Sequence, residues 1–217
     1  MEKRPGMHKK YLVLFLAALC LLCGCVAEAE RERKNGSSGP VVLLELPQTR
    51  QATNYTCGVA VVQSILGYNG HLYRQDVLEK KMAATPEHGT DPFAMMACLA
   101  EYGIGAELAE NLTLGELRAF IDCGRPVICF LQAWNDDPAI DYTDVWEDGH
   151  YAIAIGYDQG RIYFMDPSTL ANYTYIPNGQ FLSRWHDGNE DGRFHNGGIV
   201  VTNPSPVYQR ELFKPML

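Results

Sequence analysis

In QATNYTCGVA, residues 51–60, a glutamine stands six positions ahead of a cysteine that is followed by glycine and then by apolar residues. A thiol at the start of a buried helix sits against the helix's positive end and its free amide groups, which favours the thiolate. Cys57 is expected in that position, because CGVAVVQSILGY, 57–68, is apolar on nearly every turn and closes near Gly67 and Gly70. Gly58 leaves the backbone beside the sulfur uncovered, so a substrate carbonyl can approach. Gln51, on the preceding loop, can offer its side-chain amide and form an oxyanion hole with the Cys57 backbone N–H.

A nucleophilic thiol needs a base, and GHYAIAIGYDQGRIYFMDP, 149–167, offers one. His150 opens an apolar strand, a turn falls at Asp158, Gln159 and Gly160, and Asp166 closes the return strand, so a hairpin brings the two residues to the same end of a sheet. A carboxylate bonded to one ring nitrogen fixes the tautomer and leaves the other nitrogen for the thiol proton. Cysteine, glutamine, histidine and aspartate together supply nucleophile, oxyanion donor, base and orienter.

The elements that must carry these groups change character along the chain. A short strand at 41–47 is stopped by Pro47, and a polar loop follows to Thr56. After the central helix, RQDVLEKKM and PFAMMACLAEY predict two more, the latter with Pro92 in its first turn. TLGELRAFIDCG predicts a fourth, opened by a Thr113/Glu116 capping box and closed by Gly124. From RPVICFLQAW, 125–134, the pattern is that of strands, continuing through the hairpin, YTYIP and GGIVVTN, with one short helix at GQFLSRWHD. Helices first and an antiparallel sheet afterwards is the α+β pattern. Cys98 in AMMACLA and Cys129 in PVICFL read as core thiols.

The first residues carry different information. MEKRPGMHKK is basic and leads into YLVLFLAALCLLCGC, an apolar run too short and too glycine-terminated for a spanning helix, which makes residues 1–24 an export signal. LLCGC resembles a bacterial lipobox, with Leu22 and Gly24 ahead of Cys25. That resemblance implies cleavage before Cys25, a lipid on its thiol, and a protein held on the cell membrane facing out of the cytoplasm. Residues 25–40, charged and then Gly/Ser-rich, read as the lipidated cysteine and its tether, and 41–217 as the folded domain. The net charge of −8 becomes more negative once the basic signal is lost, which disfavours nucleic acid as a partner and leaves the lipid as the membrane attachment.

The Q-x(5)-C-G segment, the helix leading into GRPVICFL, the GHYAIAIGYD…FMDP hairpin and the closing FLSRWHD resemble the bacteriocin-processing cysteine peptidases, family thirty-nine, and particularly their stand-alone relatives. The resemblance runs from about Leu46 to Thr202. It implies a papain-like fold, a central helix bearing Cys57 packed on an antiparallel sheet bearing His150 and Asp166, with the oxyanion glutamine at Gln51. It also implies peptide or protein substrates and acyl-enzyme chemistry without a cofactor. Members fused to export transporters cut leader peptides after a Gly-Gly pair, and this chain has neither a transporter's membrane domain nor its ATP-binding motif.

Two acidic stretches bear on substrate and metal. WNDDPAIDYTDVWEDG, 134–149, mixes carboxylates with Trp134, Tyr142 and Trp146, and its Asp144 and the two tryptophans are candidates for a substrate loop favouring basic peptides. DGNEDG, 187–192, sets Asp187, Asn189, Asp191 and Gly192 as in a calcium loop, but Gly198 stands where the bidentate glutamate belongs. The mature chain has no CxxC pair and no HExxH, so no zinc site is expected. Two other readings use the same residues: a cell-wall peptide amidase or transacylase, and a lipoprotein whose papain-like cleft holds peptides without turnover.

Overall fold

The computed structural model describes residues 42–169, 173–189 and 192–210, so the expected signal, Cys25 and the tether lie outside the described residues. Strand β1, Val42–Leu43, is followed by helices α1, Cys57–Tyr68, α2, Gln75–Lys81, and α3, Pro92–Glu101. Strand β2, Ala106–Ala109, helix α4, Leu114–Asp122, and strand β3, Val127–Gln132, come next. A 3-10 turn at Tyr142–Asp144 precedes β4, Gly149–Tyr157, β5, Arg161–Met165, and β6, Thr174–Pro177. Helix α5, Asn178–Arg184, and strands β7, His186–Asn189, β8, Gly192–His195, and β9, Gly198–Val201, complete the described chain.

Every residue of α1 except Gln63 is buried, as the apolar sequence requires: a helix apolar all round must be central. It lies on one face of an antiparallel sheet of order β2-β9-β3-β4-β5-β6, with β1 pairing β4. Val59, Val62, Ile65 and Leu66 pack there against Ile128, Phe130, Ile153, Ile155 and Met165. The opposite face buries Val127, Cys129, Leu131, Ala152, Ala154 and Phe164 under Leu117 and Ile121 of α4, Phe181 of α5, and Trp185. Both faces of β3 are thus covered, which is why VICFLQ is a continuous run rather than an alternating one. The mixed helix and antiparallel-sheet architecture is the expected α+β fold, and Cys98 and Cys129 are buried free thiols.

The structure departs from the sequence reading at the edges. β2, expected as nothing, pairs with β9 through Ala106↔Val201 to Ala109↔Gly198, and the strand expected over 41–47 is confined to Val42–Leu43, paired with β4. The helix expected over GQFLSRWHD ends at Arg184, and His186 begins a β7–β8 hairpin instead. The α4 capping box is present: Thr113 accepts from the Glu116 N–H, and Glu116 accepts from the Thr113 N–H.

Gly58 is where packing admits nothing larger. A Cβ there would stand 2.6 Å from the Thr90 Cβ and 2.9 Å from its Oγ1. Gly58→Ala is therefore expected to lower the unfolding free energy by about 1–3 kcal/mol, measured by urea denaturation.

Candidate active site

Cys57 is the first residue of α1, and the helix begins without a side-chain cap. The Thr56 hydroxyl turns back to Thr53 instead, accepting from the Thr53 N–H at 3.0 Å and donating to the Thr53 carbonyl. The first amides of α1 therefore keep their donors free of a capping side chain beside the sulfur. The thiol is 7% exposed, which places it just below the surface of an open cavity of about 590 Å³.

His150 is the second residue of β4, opposite Leu131, and Asp166 follows the last residue of β5. Their expected meeting is realised: Nε2 of His150 lies 2.9 Å from Oδ1 of Asp166, with the two residues 5% and 6% exposed. Since Nε2 is taken, the ring nitrogen left for Cys57 is Nδ1. Burial pushes the His150 imidazolium down, but the bonds to Asp166 and Cys57 and their charges outweigh it and raise His150 to about 9. Asp166 is itself held by the Ser168 N–H at 2.8 Å and the Thr169 hydroxyl at 3.3 Å.

Gln51 is drawn toward the same turn rather than onto the sulfur. Its backbone N–H donates to the Pro167 carbonyl at 3.0 Å, its Oε1 accepts from the Ser168 hydroxyl at 3.0 Å, and its Nε2 donates to the Thr53 carbonyl at 2.9 Å. One Nε2 hydrogen remains for a further acceptor. Ser168, which no sequence motif had marked, thus touches both the glutamine and the aspartate. The signal was present in Asp-Pro-Ser, since a serine two residues after an aspartate can cap its carboxylate through its N–H.

Two cavities meet at this centre. The larger is lined by Cys57, Thr90, Asp91, Trp146, Tyr151 and Asp187 among others. A second of about 310 Å³ lies on the far side of the imidazole, lined by His150, Asp166, Leu131, Phe164, Ile176 and Trp134. The register explains the division. Leu131, Ala152 and His150 share the sheet face covered by α4 and α5, Tyr151 faces α1, and the His150 ring reaches Cys57 across the strand's end.

The substrate-loop candidates divide accordingly. Trp146 lines the Cys57 cavity and packs on His186 with ring centres 4.5 Å apart. Trp134, 58% exposed and with a positive φ of 67°, borders the His150 cavity. Asp144 is exposed on the 3-10 turn and lines neither.

The described residues of the calcium-like stretch belong to the paired strands β7 and β8, and Asp187 turns inward. Its Oδ1 accepts from the Gln132 amide at 3.1 Å and the Gly188 N–H at 2.8 Å. Asp191 lies outside the described residues, and among those described no group of three His, Cys, Asp or Glu side chains could hold a metal. Burial pushes the Asp187 carboxyl up to about 7, against the pull of Gly188, Gln132 and His150.

Residues 43–190 match the model of the family described as "Peptidase_C39 like family". No curated protein sequence matches the chain. Among solved structures, a putative C39-like peptidase from Bacillus anthracis aligns with TM-score 0.58 and 17% identity over 77% of this chain and 100% of its own. The peptidase domain of Streptococcus ComA, a bifunctional ABC transporter of a quorum-sensing pathway, aligns with TM-score 0.55 and 17% identity over 74% and 99%. A double-glycine-motif protease from an AMS/PCAT transporter, in complex with its leader peptide, aligns with TM-score 0.53 and 14% identity over 74% and 95%. At these identities the likeness is one of fold.

The buried groups make stability fall as pH rises. His150 binds its proton more tightly folded than unfolded, so its contribution is complete below its ordinary 6.5 and lost as pH climbs through about 9. Asp187 is raised likewise, so its contribution is complete below 3.8 and gone above about 7. Thermal melts from pH 4 to 10 should show two descending steps, with His150→Ala removing the upper and Asp187→Asn the lower.

Proposed function

We propose that this chain, which belongs to the C39-like peptidase family and is a cysteine peptidase, cleaves peptide substrates through an acyl-enzyme formed on Cys57. The observation that carries the assignment of residues is the buried His150–Asp166 hydrogen bond at 2.9 Å, with the same imidazole interacting with Cys57 at the uncapped start of α1. In this reading His150 takes the thiol proton and holds the thiolate as an ion pair, and Asp166 fixes the ring through Nε2.

The thiolate attacks the scissile carbonyl, forming the C–S bond and an oxyanion that the Cys57 N–H and Gln51 Nε2 stabilise. Collapse breaks the C–N bond, and the imidazolium gives its proton to the departing amine. Water, deprotonated by His150, then attacks the thioester and returns the thiol. The acyl half of the substrate lies in the cavity that Cys57 lines, and the amine half leaves through the one that His150 lines. A peptide substrate is further supported by the leader peptide bound to the fold relative from the AMS/PCAT transporter.

The address is a second part of the proposal. The basic n-region, the short apolar run and LLCGC at residues 21–25 support export, lipidation of Cys25 and residence on the cell membrane facing out of the cytoplasm. Among the described residues no helix is long and apolar enough to cross a membrane.

Iodoacetamide should alkylate Cys57 of the wild type at neutral pH, and His150→Ala should slow that reaction at least tenfold, read by mass spectrometry. Equal rates would remove the thiolate–imidazole pair from the proposal. On a cleaved peptide, Cys57→Ala should abolish turnover and Gln51→Ala should reduce kcat by about 10²–10³. In a bacterial host, Cys25→Ser should move the protein out of the membrane fraction.

A further inference from the structure

The chemistry of the cleft on the acyl side is one-signed. Glu87, Asp91, Glu147 and Asp187 line the Cys57 cavity, and among the described residues no lysine or arginine does, His88 being the basic side chain there. Three of these are ordinary surface or capping carboxylates; Asp91, for example, caps α3 through the Ala94 N–H. Asp187 differs. Both of its hydrogen bonds fall on Oδ1, and among the described residues no lysine or arginine forms an ion pair with it. Arg193, on the strand beside it, is spent over the Trp146 ring at 4.2 Å. The Oδ2 oxygen is left for whatever enters.

Asp187 is also close to the chemistry. A Cβ at Gly149 would stand 2.8 Å from its Oδ1 and 3.0 Å from its Oδ2, and Gly149 adjoins His150, whose imidazole interacts with Cys57. An extended peptide advances about 3.4 Å per residue, so a carboxylate here is reached by the first or second side chain before the cleaved bond. A second observation marks the same cavity as a binding surface. Thr90, 2% exposed, lies on its wall beside Gly58, and its Oγ1 has no hydrogen-bond partner. A buried polar atom without a partner is costly, so this wall of the cavity carries an unmet hydrogen-bonding group.

We propose that Asp187 is a specificity residue that receives a lysine or arginine side chain from one of the two substrate residues preceding the cleaved bond. Trp146 and Tyr151 line the same cavity, and the cationic head of that side chain replaces the missing partner of the carboxylate. The inference rests on the acyl-enzyme reading, because it is the bond to Cys57 that assigns this cavity to the acyl half.

The test uses the full chain and peptidyl acyloxymethyl ketones carrying lysine, norleucine or glutamate at the first or second position before the reactive group. The thiolate displaces the probe's carboxylate, forming a C–S bond as the C–O bond breaks, and the adduct on Cys57 is timed by mass spectrometry. Lysine at one of the two positions should react at least tenfold faster than norleucine, with glutamate slowest. Asp187→Asn, which keeps an oxygen for Gln132, should bring the lysine-to-norleucine ratio toward one.

A wild type that labels as fast with norleucine as with lysine at both positions overturns the inference, as does a lysine advantage that survives Asp187→Asn. The wild-type comparison stands even if the variant does not fold. Iodoacetamide on wild type and His150→Ala in the same samples separates the two levels. With His150 dependence intact and no lysine advantage, only the specificity claim falls. Without His150 dependence, the acyl-enzyme reading falls and takes the specificity claim with it.

Discussion

An imidazole buried to 5% exposure will not keep a proton unless something charged holds it there, and in this protein the 2.9 Å contact with Asp166 does so. The pair is demanding in both directions. Burial alone drives His150 toward neutrality; Asp166 and Cys57 reverse that and leave its raised value near 9. A carboxylate buried to 6% exposure needs its own support, which comes from the Ser168 N–H and the Thr169 hydroxyl as well as the imidazole. The turn after β5 is therefore as much a part of the centre as the strands. It presents the donors that satisfy the buried carboxyl oxygens.

The sheet sets where this pair can stand. His150 and Asp166 belong to the ends of adjacent strands, and the register places them toward the face under α4 and α5, while the thiol arrives from the other face on α1. Contact is possible only where the sheet ends, because anywhere further in the strands would separate thiol from imidazole. That position also divides the surrounding space into a polar, acidic cavity on the thiol's side and an apolar one behind the imidazole. A substrate laid across the strand ends must pass from one chemistry to the other at the reacting carbon.

What the sequence disclosed follows from this division between local and distant causes. The start of α1 at Cys57, the capping box at Thr113 and the β4–β5 turn at Asp158–Gly160 are written in neighbouring residues, and each is found. β2 escaped notice because AELA has no alternation and is a strand only by pairing with β9, almost a hundred residues on. The helix reading of Trp185–Asp187 failed for the same reason: Trp185 is pinned by its indole N–H to the Gly197 carbonyl, and His186 is claimed by β8. The spacing around Asp187 resembles a calcium loop only in part, and it is Gln132, on a strand more than fifty residues earlier, that decides where its carboxyl points.

The glutamine shows how a group can be prepared without yet touching its target. An amide can be turned end for end, and only its neighbours select the orientation. At Gln51 the Thr53 carbonyl can only accept, so it must face Nε2, and Ser168 then donates its hydroxyl to Oε1. The reverse orientation would set two carbonyl oxygens against each other. Nε2 is thus fixed with one hydrogen committed and one to spare, beside the loop that carries the uncapped amides of α1. The turn that supports Asp166 also orients Gln51: Pro167 through its carbonyl and Ser168 through its hydroxyl hold the glutamine, while Ser168 through its N–H and Thr169 through its hydroxyl hold the carboxyl group. In the proposed mechanism a displacement of that turn disturbs proton transfer and oxyanion stabilisation together, so the post-β5 turn supports two chemically separate roles.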